Sequence, residues 1–243
     1  MAQGKTTQVQ GKKTGTALGK NAVRQSKAKP KVAPLTPESL QAACAALGCP
    51  VPEQAYSPLL TYLSLLMQWN TVMNLVGTHS WRETLESLLA DSFYLAEFLQ
   101  SLALPAEPEC WDLGAGAGLP GIPLRMVWQQ GHYTLVEARE KRALFLSTVV
   151  ARAGLSKTAV FRGRAEAFFA QAQPADVVVS RAFLPWQEVL AFIEPHIQPT
   201  GLAIFLTLEP MPARVPAGWC AVQQQAYTIE GDTRYFWALQ RQA

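Results

Sequence analysis

Apolar side chains recur at helical spacing through the first half of the chain and gather into short unbroken runs in the second. Leu59, Leu63, Leu66, Trp69 and Met73 share one face of a helix predicted over 54–75. Leu85, Leu88, Leu89, Phe93, Leu95 and Phe98 do the same over 80–100. A shorter helix opens at Leu35-Thr36-Pro37-Glu38 and is stopped by Gly48 ahead of Pro50 and Pro52. Residues 36–104 therefore read as helical, closed by a loop that Pro105 and Pro108 mark.

Beyond that loop the pattern changes. Runs at 109–113, 132–136, 158–161, 176–180 and 202–208 read as buried strands, with helical stretches near 121–130, 139–153, 163–171 and 186–196 between them. Strands alternating with helices predict an α/β fold, a parallel sheet covered on both faces. Two further strand-like segments, 219–229 and 234–239, have only Glu230 to Thr233 between them and predict an antiparallel hairpin that ends the sheet. The expected organisation is a tail (1–34), a helical cap (35–104) and an α/β domain (105–243). No internal repeat is visible.

Charge sharpens the first boundary. The net charge of +3 hides a division: residues 1–34 carry eight Lys or Arg and no acid, and the other 209 residues carry a net −5. The tail has no aromatic residue and few large aliphatics, so it cannot offset its ordering entropy and reads as disordered. Either it screens phosphates on RNA or it is a solubilising extension. It lacks the apolar segment of a secretory signal, and no apolar run approaches a membrane span, so the expected compartment is cytoplasmic with no membrane partner. Cys44, Cys49, Cys110 and Cys220 form no CxxC pair, and His79, His132 and His196 lie far apart. Neither a disulfide framework nor a metal site is expected.

The candidate chemistry lies at 111–124, WDLGAGAGLPGIPL, directly after the first predicted strand. Ligands of open parallel sheets bind at the carboxyl ends of such strands. Gly116 to Gly121 fits GxGxxG, a weak pattern alone. The alternative register is Asp112 followed by Gly114, Gly116 and Gly118. A dinucleotide turn follows its strand at once and offers helix N–H groups to a pyrophosphate, whereas here Pro120 removes one. Asp112 puts a carboxylate beside the turn, unfavourable for a pyrophosphate and favourable for an ammonium group. Glu137 ends the next strand, 23 residues after Gly114, at the usual distance for an acid that grips ribose hydroxyls. Together these favour S-adenosyl-L-methionine over a nicotinamide cofactor, with a turn that serves packing alone as the remaining reading.

WDLGAGAGLPGIPL, VEAREKRALFL, VVVSRAF and the upstream WNTVMNL resemble the bacterial 16S rRNA guanine-N7 methyltransferase family RsmG, also called GidB. The likeness runs from about residue 55 to the chain end. It implies a Rossmann-like class I S-adenosylmethionine-dependent methyltransferase sheet with an N-terminal helical cap, and 16S rRNA or the small ribosomal subunit as partner. It places donor contacts on Gly114, Leu119, Glu137, Ala165, Glu166 and Arg181, joining the Asp112 and Gly116 of the turn. Guanine N7 carries a lone pair and no proton, so its methylation needs alignment rather than a general base. In keeping with that, the cysteines lie in no nucleophile context, and Ser180-Arg181-Ala182-Phe183 stands where amino-nitrogen methyltransferases carry an Asn/Asp-Pro-Pro-aromatic motif. No catalytic side chain is assigned.

Arg139, Lys141, Arg142, Arg152, Lys157, Arg162 and Arg164 crowd into one stretch against a single acid, Glu140. They form either a phosphate-facing surface, with Lys141 and Arg142 as the RNA contacts, or a solvated helix face. Phe183 either stacks on the target base or packs in the core. Trp69, Asn70 and Asn74 shape the cap. The chain departs from the family at Ser87 and Leu88, where Arg-His is common, and at Glu209-Pro210, where Lys-Gly is common. Those departures keep open a non-catalytic RNA-binding module; among enzymes the alternative is a methyltransferase acting on another RNA or a small molecule.

Overall fold

The structure, a computed structural model, describes residues 33–242. The basic stretch 1–32, on which the expectation of a disordered tail falls, lies outside the described residues. The first helix, α1 (Pro37–Ala45), starts where its sequence says it should. Thr36 Oγ1 accepts from the Ser39 amide while Ser39 Oγ accepts from the Thr36 amide, and Pro37 occupies the first turn. After a short 3-10 turn, α2 (Tyr56–Met73) runs to Asn74, whose left-handed backbone (φ 48°) ends it.

The helix predicted over 80–100 is continuous but not uniform. It comprises α3 (Trp81–Thr84), a π turn (Leu85–Leu89) and α4 (Ala90–Gln100). Around the π turn two carbonyls serve side chains from the sheet: Ser87 O accepts from Arg234 and Leu88 O from Arg181. Both arginines also grip buried Asp91, at 2.8 and 3.0 Å, and Tyr227 donates to the same carboxylate. Apolar periodicity carries no trace of this hub, because its partners are up to 147 residues apart.

Seven strands form one sheet in the order β3-β2-β1-β4-β5-β7-β6. They are β1 (Glu109–Leu113), β2 (His132–Glu137), β3 (Thr158–Arg162), β4 (Ala175–Ser180), β5 (Ile197–Thr207), β6 (Trp219–Ile229) and β7 (Asp232–Arg241). Strands β1 to β5 pair in parallel, and the β6–β7 hairpin joins antiparallel to β5. The hairpin turn is tighter than the four residues expected. Only Glu230 and Gly231 lie between the strands, both with positive φ, the geometry of a two-residue turn that matches strand twist. The chain reverses after β3 and resumes beside β1 with β4, so the switch point lies between β1 and β4.

Alternation along the strands divides the core into two layers. Cys110, Leu135, Val177, Val179 and Ile204 face α1, α2, α4, α5 (Gly121–Val127) and α6 (Glu140–Ala153). Trp111, Leu113, Val136, Val178 and Phe205 face α7 (Ala165–Phe169) and α8 (Trp186–Ile193). The N-terminal helices thus share one core with a sheet face, and residue 104 marks a change of secondary structure inside that core.

One polar bond fixes the helices to the glycine turn. Fully buried Tyr62 of α2 donates to Ala117 O at 2.8 Å. Tyr62→Phe leaves that carbonyl without its donor and is expected to lower stability by about 1 kcal/mol. Urea unfolding reads it directly, and an unchanged midpoint would show that the bond anchors nothing.

Candidate active site at the switch point of the sheet

The end of β1 and the turn after it build the floor of a cleft. Gly114 N and Ala115 N both donate to Val136 O of β2, at 2.9 and 3.0 Å, which folds the turn back over the sheet edge. Gly114 takes φ +72°, and a Cβ there would stand 2.6 Å from Phe183 Cδ2, so only glycine fits between ring and cleft. Glu137, the last residue of β2, is buried, and its carboxylate is held by two amides: Oε2 accepts from Gly116 at 2.9 Å and Oε1 from Arg139 at 2.8 Å. These bonds aim a fixed pair of acceptor oxygens at the opening.

The cleft measures about 490 Å³, within the range of small-molecule sites. Its walls bring together Gly114, Glu137, Arg142, Ala165, Glu166 and Phe183, with Arg139 and Arg164 at the basic side. Of the residues expected to hold the donor, Gly114, Glu137, Ala165 and Glu166 therefore meet in one place, and Gly116 stands one step behind as the donor to Glu137. Arg142, read from sequence as an RNA contact, lines the same cleft, whereas Lys141 is exposed outside it. The basic cluster divides further: Lys157 pairs with Glu107 and Arg162 with Glu140.

Besides Gly116, three expected residues do not line the cleft. Leu119 packs half-buried against the core. Arg181 turns to Asp91 and Leu88 O. Asp112 alternates with Trp111 and Leu113, so it faces the helices with Cys110 rather than the opening. Its Oδ2 lies 3.4 Å from Tyr133 Oη, directly beneath Gly121, where any Cβ would meet it at 2.5 Å. Phe183 lies half-buried in the cleft wall, against Gly114 and Phe192. Trp69 packs on Phe145, and Asn70 ties down the loop after α2 by accepting from Val76 N and donating to Thr78 O.

Burial pushes the Asp112 carboxyl up to about 7, against the opposing pull of the Tyr133 hydroxyl, the Gly121 amide and Arg181. A carboxyl whose folded pKa is raised favours the fold while protonated, so its contribution is full below about pH 4 and is lost as pH rises towards 7. Asp112→Asn removes that titration. The variant is expected to melt with the wild type near pH 4 and several degrees above it at pH 8, as read by thermal unfolding across that range. Parallel curves would contradict a buried titrating Asp112.

A smaller hollow of about 140 Å³ opens at the carboxyl ends of β4 and β5. Ala182 and Leu184 line both it and the larger cleft. Its remaining walls are Ser180, Trp186, Phe205, Leu206, Thr207 and Trp237, none of which titrates near neutral pH. Among the described residues no group of three His, Cys, Asp or Glu is placed to hold a metal, and no helix is long and apolar enough to cross a membrane.

A parallel sheet extended by an antiparallel hairpin, a glycine turn after β1 and an acid ending β2 define a Rossmann-like S-adenosylmethionine-dependent methyltransferase. The fold is similar to that of a putative O-methyltransferase from Klebsiella pneumoniae, at 13% identity over 85% of this chain and 97% of that one, with a TM-score of 0.52. The family model of rRNA small subunit methyltransferase G matches residues 55–209. The proteins named ribosomal RNA small subunit methyltransferase G from Nitratidesulfovibrio vulgaris strain DP4 and from Oleidesulfovibrio alaskensis are 57% and 45% identical to the chain. The first alignment covers 73% of this chain and 82% of that protein, the second 85% and 94%. The chain belongs to the rRNA small subunit methyltransferase G family.

Proposed function

We propose that the protein methylates N7 of a guanine in 16S rRNA, using S-adenosylmethionine held in the cleft at the switch point. The observation that carries the reading is the pairing of two contiguous spaces. One has a buried carboxylate and a glycine floor, and the other is an acceptor side without a titratable side chain among its described walls. An amino nitrogen or a hydroxyl must lose a proton when methylated and calls for a base, whereas N7 offers an in-plane lone pair and calls for none. Such a site works by alignment and water exclusion.

The residues present fit the donor. Glu137 supplies two fixed acceptor oxygens for the two ribose hydroxyls. The Ala165 amide and Glu166 stand at the start of α7, where they meet the adenine edge, and Gly114 allows close backbone approach to the methionine portion. When bound, the donor supplies an electrophilic methyl group on a sulfonium. Leu119, Asp112 and Arg181 act from behind, shaping the turn and the β4 end. Lys141, exposed on α6, remains the proposed phosphate contact, and Arg142 serves the cleft mouth.

The substrate of this reading is 16S rRNA, alone or in the small subunit, met in the cytoplasm. The test is to map N7-methylguanine in small-subunit rRNA from cells with and without the protein. One guanine is expected to lose its modification when the protein is absent and to regain it when purified protein and S-adenosylmethionine are added to those subunits. An unchanged map would overturn the proposal.

A further inference from the structure

We propose that the 140 Å³ hollow between β4 and β5 is the slot for the extruded target base, and that the Ser180 and Thr207 hydroxyls read it as guanine. This rests on the reading of guanine N7 as the acceptor. The hollow has room for about five waters at the roughly 30 Å³ each occupies in the liquid, enough for the six-membered ring of a purine, with the imidazole ring left towards the shared wall. It opens at the carboxyl edge of the sheet and shares the Ala182 and Leu184 wall with the donor cleft, so a base seated there presents one edge to the donor's methyl group. Trp186 packs edge-on to both Phe205 (6.5 Å between centroids) and Trp237 (5.8 Å), so the hollow is lined by a cluster of three aromatic rings.

Two hydroxyls in these walls have capacity to spare. Ser180 is 4% exposed, and its Oγ makes no hydrogen bond among the described residues. Thr207 Oγ1 accepts from the Glu209 amide at 3.1 Å and keeps a second lone pair. With N7 towards the cleft, the neighbouring O6 falls near Ser180, the slot residue that leads into the shared wall. The N1–H and N2–H donors fall on the far side, towards Thr207. Ser180 then donates to O6 and Thr207 accepts from the exocyclic amino group, a pattern that adenine cannot satisfy. The rim is apolar as well: Leu184 (40% exposed) and Leu208 (72% exposed) follow the two strand ends. Large apolar side chains at such a mouth fill the gap an extruded base leaves in its stack.

The test is a cycle between protein and base. Small subunits are reconstituted on rRNA carrying guanine or inosine at the target, inosine lacking only the 2-amino group, and kcat/KM is measured for wild type and T207V. Each single change is expected to lower kcat/KM about tenfold, and the two together no further than either alone, with S-adenosylhomocysteine affinity unchanged. Losses that multiply, a guanine rate untouched by T207V, or a fall in S-adenosylhomocysteine affinity would each overturn the slot. A parallel cycle pairs S180A with 2-aminopurine, which keeps the amino group and lacks O6, and it decides the matter if T207V does not fold. Failure of the underlying reading has a different signature: wild type that binds S-adenosylhomocysteine yet leaves the guanine subunits unmethylated.

Discussion

Glu137→Ala is expected to weaken S-adenosylhomocysteine binding by about 100- to 10,000-fold. Each hydrogen bond to a charged acceptor contributes about 1.5–3 kcal/mol, and the carboxylate is placed to accept two from the ribose. The same oxygens accept from Gly116 and Arg139, so the variant also frees the two amides that set the turn against β2. Calorimetric titration with S-adenosylhomocysteine measures the loss. Glu137→Gln separates the two effects, because the amide oxygen keeps one of these bonds and removes the charge. A tenfold loss or less in Glu137→Ala would mean that the ribose is held elsewhere.

Arg125→Met is expected to lower stability by roughly 3–5 kcal/mol, a large share of what a domain of this kind possesses. Arg125 is 1% exposed and touches no carboxylate among the described residues. Its guanidinium donates instead to the carbonyls of Trp128, Gln129, Gln130, Gly131 and Ser156 and, through Nε, to Thr158 Oγ1. The ring faces of Trp128 and Tyr133 lie 5.6 and 5.7 Å away. The charge is solvated by peptide dipoles, and removing it orphans several buried oxygens at once. Arg125→Lys is expected to recover only part of the loss, since three donors on one nitrogen cannot reproduce the planar fork. Denaturant unfolding would settle the point, and a loss below about 1 kcal/mol for the Met variant would sink this account.

The same arginine explains a limit of sequence reading. The helix predicted to 130 ends at Val127, because Arg125 gathers the four carbonyls that follow into a loop around its own head group. Nothing in a periodicity of apolar residues announces that. By contrast β1 and β2, the turn between β1 and α5, and Glu137 were legible, since each follows from local pattern and spacing. Asp112 shows where spacing stops: an acid beside a glycine turn suits a cofactor site, but strand alternation sends its side chain to the other face. Alternation was readable from Trp111 and Leu113, and it outweighs proximity in sequence. Arg181 turns away from the cleft for a different reason. Its destination, Asp91, lies in the helical layer, and long-range ion pairs leave no mark on either segment.

The π turn bears on the two departures from family habit at Ser87 and Leu88. Arg234 and Arg181 address these positions through their carbonyl oxygens, which every residue type carries. Side-chain identity there is invisible to the hub, so the change from Arg-His to Ser-Leu leaves the Asp91 junction intact. Leu88 packs half-buried against the helical core and the Ser87 hydroxyl donates to Glu83 O, so what the hub requires at these positions is the backbone path through 85–89 rather than either side chain.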